Sequence, residues 1–486
     1  MTKTPVSLGV QSNPGRVPQA GAARLVNCYA EDAGQEGKVR YPVYAANGFS
    51  NYVTLSGGGA IRAAIDFDET RLYVAAAEKI WKVTDSATAT LLSGTISTGG
   101  IVTMARNRKA PDAQIGLVTS DGHYYIIDTS NDSLTEVLLP VDAAAVVALC
   151  VFIGYFVLFT ANGEFYITSL DNGSAIDDLD FAAAEANPDG GSDCKTRGQD
   201  LVLFGPKSIE FWSVAVDADF PVQRAAAINI GCWLKARTCE LVTVKDGGLT
   251  DTVAFLGTNS EGAFLGVMLL DGYGAVKIST SEVERVIKKE PDPDSIRLFP
   301  HTENGHVFLI ITGSSFTRAY DTTTGFWHEK ASAGLDRWRA VTSTAFADTV
   351  LLGDYETGVL YESREDLFDA SQDCVIQLRH SNDNGQTWNA TRSRTISETS
   401  NPKQRIKFNR LGMSKQAGKV LELTVTRALV ENGQDVSMVI TTPAIHSYPN
   451  PMKFDALYVD AITGVSKTDE PKGILQLTID ARSVQG

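Results

Sequence analysis

Short apolar runs joined by tight turns recur along most of this chain. The first two copies read RLYVAAAEKIWKVT at residues 71–84 and IGLVTSDGHYYIID at residues 115–128. Residues of high β-propensity flank each turn. The turn residues, such as Asp121-Gly122, tolerate the positive φ of a two-residue hairpin. The pattern therefore predicts strand–turn–strand units, and helical periodicity is nearly absent.

The unit returns with a roughly constant spacing of about 40 to 55 residues, which is typical of β-propeller blades with four strands each. Radial stacking would bury both faces of each sheet and leave only short edges unpaired. We therefore predict an all-β chain in which residues 51–370 form a β-propeller of six or seven blades, rather than unrelated sandwiches. The later copies lie at residues 155–168, 201–214, 253–269, 306–321 and 349–363.

The two ends of the chain lack the repeating hydrophobic pattern of residues 51–370. Residues 1–50 carry the run NPGRVPQAG and little periodicity, which predicts an extended N-terminal arm or strap. Residues 371–486 predict a separate C-terminal β domain resembling a sandwich, with two strands around Asn432-Gly433. Its basic stretch, residues 400–419, is interpreted as a solvated loop face, with contact to an acidic partner as the alternative.

Two segments test the all-β prediction. Residues 143–159 read AAAVVALCVFIGYFVLF without a charge, close to the lower length limit for a membrane helix. Their β-branched and aromatic content favours two buried strands broken at Gly154, so we expect no membrane insertion. Residues 281–289, SEVERVIKK, are the one clear helix candidate.

Composition narrows the functional classes. The 486 residues are 43% hydrophobic and carry a net charge of −15, which is typical of an acidic globular protein. Acidic surfaces bind nucleic acid poorly, because affinity comes from Lys and Arg neutralising phosphates. They suit a surface that DNA passes without adhering. Six scattered cysteines without a Cys-x-x-Cys pair, and an N-terminus without an apolar signal region, indicate reduced thiols made in a cytoplasm.

No catalytic, cofactor-binding or metal-binding constellation emerges from the sequence. His301 and His306 are expected to flank a turn at Asn304-Gly305 rather than to bind metal. The carboxylate pairs Asp177-Asp178 and Asp292/Asp294 lack the specificity expected of a glycosidase site. The stretch GQEGK at residues 34–38 has its glycines too close together for a phosphate-binding loop.

The stretch SNDNGQTW at residues 381–388 resembles the Asp-box known from sialidases and other sugar-cleaving propellers. In those enzymes the motif lies away from the catalytic centre, so we interpret it as a structural hairpin. Asp383 accepts backbone bonds while Asn384-Gly385 makes the turn. Trp388 is expected to pack on the inner face of the hairpin. The residues of the predicted structural Asp-box are Ser381, Asp383, Gly385, Thr387 and Trp388.

Several connecting phrases, in order, resemble the packaged-DNA stabilization proteins of short-tailed bacteriophages, the tail hub or nozzle family. RLVNCYAE at residues 24–31 is similar to an early Val-Asn-x-Tyr-x-Glu phrase of that family. The likeness covers most of residues 20 to 430, and the last fifty or so residues show no match. The other phrases are LDFAAAEANPD (179–189), LVLFGPKSIEFW (201–212), FPVQRAAAINIGCW (220–233), DGYGAVKISTSEVERVI (271–287), AYDTTTGFWHEK (319–330) and LLGDYETGVLYE (351–362).

The resemblance implies a structural virion protein of the tail, assembled in the host cytoplasm, without a cofactor and not an enzyme. It implies a homo-oligomeric ring, expected to be a hexamer, below the portal and the head–tail adaptor. The ring would help retain packaged DNA and form the channel for its ejection, without sequence-specific binding. It would also meet tail fibres or spikes and a plug or needle. Two alternatives stay open: a glycan-cleaving propeller enzyme and a non-viral propeller scaffold.

Overall fold

Strands make up nearly all of the regular structure. In a computed structural model, the described residues are 4–5, 8–17, 21–34, 40–184, 186–216, 220–233, 235, 237–245, 248–365, 374–396, 403–414, 418–445, 452–463 and 475–484. The predicted helix is confirmed as Ser281–Lys288, and the Thr280 hydroxyl caps it by accepting from the Val283 N–H. A short 3₁₀ turn, Pro293–Ser295, follows. No helix within the described ranges has the length and apolar content needed to cross a membrane.

Five antiparallel sheets follow one another along the chain, and we call them blades 1 to 5. Blade 1 comprises Ile61–Asp68, Arg71–Ala76, Lys79–Thr84 and Ala89–Leu91; blade 2, Val102–Arg106, Gln114–Thr119, Tyr124–Asp128 and Ser133–Glu136; blade 3, Val146–Phe152, Tyr155–Thr160, Glu164–Ser169 and Asn172–Ala183; blade 4, Asp193–Arg197, Asp200–Phe204, Ile209–Val214 and Val222–Ile228; blade 5, Gly231–Cys232, Thr238–Lys245, Gly248–Thr258, Phe264–Asp271 and Gly274–Lys277.

Two more four-stranded groups lie inside the largest sheet. Group 6 is Arg297–Glu303, His306–Thr312, Thr317–Asp321 and Trp327–Glu329. Group 7 is Ala340–Phe346, Thr349–Asp354 and Thr357–Arg364, and its fourth strand, Gly48–Gly59, comes from near the N-terminus.

Each repeated sequence unit forms two neighbouring central strands of one blade or group, which confirms the strand–turn–strand prediction. Residues 71–84, for example, become Arg71–Ala76 and Lys79–Thr84. The apolar segment at residues 143–159 is also confirmed as two strands, Val146–Phe152 and Tyr155–Thr160, with a turn at Gly154. The central strands show the strongest pattern because both of their faces are buried against neighbours.

Apolar clusters fill the gaps between successive sheets, so the ring has no single core. Tyr73 of blade 1 and Ile115 of blade 2 belong to one such cluster. The last gap is filled in the same way, because Leu351 of group 7 packs in one cluster with Leu72 and Val74 of blade 1. Sheets arranged so that the last meets the first define a β-propeller, as predicted.

Two further sheets face each other across one large apolar cluster. The first contains strands Cys28–Ala30, Val43–Ala45, Leu475–Val484, Met452–Thr463 and Lys403–Ser414, with Thr4–Pro5 beside Leu475–Val484. The second is part of the largest sheet and contains Arg24–Val26, Gln434–Thr441, Val420–Glu431, Cys374–Ser381 and Arg392–Ile396.

The pairing adds to the prediction of an extended arm or strap at residues 1–50, because several parts of this segment are paired strands. Arg24–Val26, Cys28–Ala30 and Val43–Ala45 are strands of the two C-terminal sheets, and Gly48–Gly59 belongs to group 7. Low periodicity gave no sign of these strands, most of which are short and pair with a distant segment. The basic stretch is corrected, since Lys403–Ser414 is a strand and not a loop. The predicted boundary at residue 370 lies outside the described residues.

Candidate functional site

The N-terminal strand Gly48–Gly59 closes the ring. It pairs antiparallel with Thr357–Arg364, the strand that the chain reaches some 300 residues later. Phe49 is 1% exposed and its ring centroid lies 4.5 Å from that of Tyr361. The first and last parts of the propeller are therefore held together by one strand ladder.

A second N-terminal strand joins the propeller to the C-terminal sheets. Arg24–Val26 pairs in parallel with Trp327–Glu329 of group 6 and antiparallel with Gln434–Thr441. Arg24 adds a two-pronged ion pair to Glu329, with N···O distances of 2.9 and 2.8 Å. Such a fork fixes orientation as well as attraction. The strand acts as a seam between the two regions.

Asn27 lies at the centre of this seam. Its side-chain amide donates to the carbonyls of Ala331 and Ser437, at 2.9 and 3.0 Å, and its carbonyl accepts from the Ala331 N–H at 2.8 Å. Its φ of 57° is a left-handed value that Asn tolerates better than most residues. One buried side chain thus bonds both group 6 and the C-terminal sheet.

A buried ion cluster supports the seam from the propeller side. Glu303 accepts from Lys330 at 2.6 Å, from His301 at 3.1 Å and from the backbone N–H of Asn47 at 2.6 Å. Burial alone would raise the pKa of Glu303, but Lys330 and His301 outweigh it and hold this pKa well below its usual range. The carboxylate is fully satisfied, as buried charges must be.

Glu431 is a second buried carboxylate of the seam, and its hydrogen bonding differs from that of Glu303. It is 5% exposed, and burial raises its pKa to about 7. The Trp338 indole N–H donates to one of its oxygens at 3.2 Å, while the other oxygen has no hydrogen-bond partner. The next residue, Asn432, donates its backbone N–H to the carbonyl of Phe49 at 2.7 Å. Glu431 therefore sits where the closing strand meets the C-terminal sheet.

The predicted Asp-box forms a compact turn. Asp383 accepts from the hydroxyls of Ser381 and Thr387, at 2.6 and 2.5 Å, and from the Thr387 N–H at 2.8 Å. Gly385, with φ of 86°, donates its N–H to Ser381 Oγ at 2.8 Å. These bonds lower the pKa of Asp383 to about 2. Its carboxylate is used for holding the turn, and the structural role remains our prediction for these residues.

The expected position of Trp388 is wrong. The side chain is only half-buried, and the guanidinium of Arg379 lies 4.5 Å from its ring centroid. Trp388 is also not in a strand, because the return strand begins at Arg392. The alternation before the turn did hold, with Ile376 and Leu378 buried. The motif makes a longer loop than a two-residue hairpin, so the tryptophan leaves the inner face.

The other residues singled out from the sequence are dispersed. His301 and His306 flank the turn at Asn304-Gly305, as predicted, in strands paired from Arg297↔Thr312 to Glu303↔His306. Asp177 and Asp178 are exposed on the outermost strand of blade 3. Asp292 caps the 3₁₀ turn that contains Asp294. Within the described residues, no group of three or more His, Cys, Asp or Glu is placed to hold a metal ion.

The central channel of the propeller contains a cavity. A volume of about 500 Å³ is lined by the first strands of several blades. Its most buried acid, Asp193 of blade 4, accepts from the Thr238 N–H and hydroxyl at 2.9 and 2.8 Å. That carboxylate joins blades 4 and 5 and is not poised for proton transfer, which needs a free acid or base at a substrate.

These features define a class of protein: a β-propeller whose closure and attachment depend on strands borrowed from its own N-terminus. Antiparallel ladders, a satisfied ion cluster and a bidentate seam resist separation of the two regions.

The family follows from comparison with known proteins. A family model described as bacteriophage P22 Gp10, beta-propeller, matches residues 26–367. The chain therefore belongs to this phage packaged-DNA stabilisation family, which confirms the resemblance carried by the sequence phrases. The match begins within the seam strand and ends just after group 7.

Other comparisons add little detail. No curated protein matches the chain. Among solved structures, the chain is similar to the computationally designed Ika8 protein (13% identity, 65% of this chain, 100% of that chain, TM-score 0.38). It is also similar to the WD40 β-propeller domain of Doa1 (11% identity, 65% of this chain, 96% of that chain, TM-score 0.38). A third similar structure is Chaetomium thermophilum Raptor (11% identity, 66% of this chain, 29% of that chain, TM-score 0.40).

Sequence reasoning missed the residues of the seam. Asn27, Glu303, Lys330 and Glu431 are polar residues whose partners lie up to about 400 positions away, so no local pattern marks them. One signal was present, since Asn27 stands inside the phrase RLVNCYAE that carried part of the family resemblance.

Proposed function

We propose that this protein is a tail hub (nozzle) of a short-tailed phage. It assembles as a homo-oligomeric ring, a hexamer, below the portal and adaptor. The ring helps retain the packaged DNA and forms part of the channel for its ejection. It also offers attachment points for fibres or spikes and a plug. The observation that carries this proposal is membership of the phage Gp10 family over residues 26–367.

The architecture supports a mechanical role. A propeller closed by Gly48–Gly59 and fastened through Arg24–Val26 transmits load between two rigid β regions. We infer seven blades, counting groups 6 and 7, because first strands contact in sequence and Ala340–Phe346 contacts Ile61–Asp68. We likewise infer that residues 371–486, with the N-terminal strands, form one sandwich-like domain, since its two sheets share one apolar cluster.

The glycan-cleaving alternative gains no support from the Asp-box, because Asp383 is committed to Ser381 and Thr387. The exposed Asp177 and Asp178 lie on an outer edge strand, where charges protect against unwanted strand pairing. We therefore propose a non-enzymatic protein. Hydrolase assays on sialylated and capsular glycans test this. Asp193 and Glu240 are acids that line the central channel, and turnover that is lost in Asp193→Asn or Glu240→Gln would contradict the proposal.

The tail assignment is tested on assembled particles. Cryo-EM of the purified virion should place a ring of propellers between the adaptor and the distal tail. Mass spectrometry of the same particles should detect the chain in several copies per virion. A chain missing from particles would instead favour the non-viral scaffold.

The relation to DNA needs a separate measurement. Because the chain carries a net charge of −15, we expect the inner walls of the homo-oligomeric ring to repel the phosphates of passing DNA, so that the DNA is contained without adhesion. Mobility-shift titration with duplex DNA at low salt should give no complex at micromolar protein. Tight binding that weakens steeply with salt would contradict the repulsion.

A further inference from the structure

Four arginines lie at or just before the beginning of inner strands, near one end of the central channel. Arg62 and Arg297 lie at the beginning of the first strands of blade 1 and group 6. Arg237 directly precedes the inner strand Thr238–Lys245, and Arg337 lies three residues before Ala340–Phe346. Because successive blades of a propeller repeat one strand order, their first strands begin at the same end of the channel.

Three of these guanidiniums keep a buried N–H group without a partner. The atoms are Nε of Arg237, Nη1 of Arg297 and Nη2 of Arg337. Arg237 and Arg337 are only 7% and 8% exposed. Buried polar groups are normally satisfied, and an orphan donor costs free energy. Three orphans among neighbouring cations indicate a missing acceptor.

The remaining N–H groups of Arg237 and Arg337 hold these two side chains in place. Arg237 donates to the carbonyls of Lys235 and Asp294, both at 2.6 Å. Arg337 donates to the Trp338 carbonyl at 3.1 Å and stacks 4.3 Å from the ring centroid of Tyr355. Arg62 differs, since its guanidinium is occupied by carbonyls of residues 77 and 97–100.

The electrostatics are unfavourable without a counter-charge. Burial, and then repulsion from Arg237, Arg62 and Arg337, lowers the pKa of Arg297 to about 9. Among the nearby carboxylates, Asp193 accepts from Thr238, and Glu290 accepts from the Ser314 and Ser315 hydroxyls. Burial lowers the pKa of Arg237 to about 10, because it outweighs Asp294 and Asp292, which favour the charged form of this arginine. A buried cluster of like charges is strongly destabilising unless an anion joins it.

Space for a ligand is present beside two of the unpartnered donors, those of Arg297 and Arg237. Arg297 and Arg62 line the cavity of about 500 Å³, together with Thr342, whose hydroxyl also has no partner. Arg237 and Lys235 line a second cavity of about 620 Å³. A duplex is about 20 Å wide, so cavities of this size exclude it and admit small molecules.

We propose that the arginine-lined end of the central channel binds a small tetrahedral dianion of the phosphate type, held by Arg297 and Arg237. Guanidinium forks match the oxygen geometry of phosphate. The anion accepts the orphan N–H groups of these two arginines and neutralises the repulsion between blade 5 and group 6. The bound anion thereby stabilises the closed propeller, and this role does not depend on the function proposed for the protein in the particle.

The test is thermal unfolding of the full-length chain in sodium phosphate, sodium sulfate, sodium acetate or sodium chloride at equal ionic strength. Phosphate and sulfate should raise the Tm by several degrees over chloride, and acetate should not. Calorimetric titration with phosphate should give a saturable isotherm. In Arg297→Met the apparent phosphate Kd should weaken by about tenfold or more, the loss expected for a charged hydrogen bond.

The Arg297→Met variant also carries a signature that a purely structural arginine would lack. Without phosphate its Tm should be equal to or above that of the wild type, since a repelled charge has been removed. Arg394→Met, on the exposed strand Arg392–Ile396, is the matched control and should keep the full phosphate response. Arg237→Gln replaces Arg297→Met if the latter fails to fold.

Three results would overturn the proposal. They are equal Tm values in phosphate and chloride, an acetate response as large as that of phosphate, and a phosphate response unchanged by both channel substitutions.

Discussion

The blades of the propeller and the seam to the C-terminal sheets are built in opposite ways. Within a blade, successive strands are neighbours in sequence, as in blade 1 from Ile61–Asp68 to Ala89–Leu91. In the seam, Arg24–Val26 lies between Trp327–Glu329 and Gln434–Thr441, more than 300 and 400 residues away. Blades therefore form from short loops, whereas the seam must bring distant segments together.

This difference has a thermodynamic consequence. Closing a long loop costs more conformational entropy than closing a hairpin, and the cost must be met by specific contacts. The seam meets it with the bidentate Arg24–Glu329 pair, the three bonds of Asn27 and the ion cluster around Glu303. Specific polar contacts are therefore concentrated at the seam, where the paired strands are distant in sequence.

The largest effect is expected from the closing strand. Phe49→Ala should cost about 4 kcal/mol, the usual loss for a buried Phe. Phe204→Ala, inside blade 4, should cost about the same, because both side chains are at most 1% exposed. Urea unfolding measures both losses. Limited proteolysis should separate them: only Phe49→Ala should release the N-terminal segment under native conditions. Identical cleavage patterns would show that closure does not depend on this strand.

The next largest effect is expected at Asn27. Asn27→Ala removes three hydrogen bonds and places Ala at a φ of 57°, so we expect a loss of about 3 kcal/mol. Calorimetry should show the single unfolding transition splitting in two as the C-terminal sheets uncouple. Asn172→Ala is the control, since that exposed side chain accepts one bond, from the Ser174 N–H at 3.2 Å. A variant that still unfolds in one unshifted transition would mean that Asn27 does not couple the regions.

Glu431 provides a pH-dependent test of the same seam. Its pKa in the folded chain, about 7, lies above its usual value of 4.5, so the folded state binds the proton more tightly. Stability should therefore fall as pH rises between these values, with the full penalty present above pH 7. Glu431→Gln mimics the neutral acid and should be more stable than the wild type at pH 8.5 by about 2 kcal/mol.

At pH 4.5 the Glu431→Gln variant and the wild type should unfold with nearly equal free energies. Comparing Tm against pH for the two chains isolates this carboxyl from all other titrating groups. Parallel curves across the whole range would show that folding does not shift the pKa of Glu431, and would contradict the prediction.

The smallest effect is expected at Trp388. Because the ring is half-buried and contacts the Arg379 guanidinium, Trp388→Ala should cost about 1 kcal/mol or less. Asp383→Ala should cost more, since three donors of the turn, the Ser381 hydroxyl and the Thr387 N–H and hydroxyl, lose their acceptor. Thermal unfolding compares the two. A larger loss for Trp388→Ala would place the tryptophan in the core after all.

The all-β propeller was predictable because its signal is local. Strands such as Tyr155–Thr160 alternate with turns at Gly154 and Asn162-Gly163, so period and turn chemistry appear within a few residues. The N-terminal strands carried no such signal. Val43–Ala45 is only three residues long, and Val43 pairs with the distant Leu477. The many charges of Lys403–Ser414 predict a solvated loop, although the segment is a paired strand.

The class of fold, the blade-like repeats and the phage family can be read from the amino-acid sequence, because each depends on local patterns or on ordered phrases. The closure of the propeller, the side chains that attach it to the C-terminal sheets and the grouping of the arginines become visible only in three dimensions. Those features arise from pairings hundreds of residues apart. Burial and charge at such contacts depend on three-dimensional neighbours that no local pattern encodes.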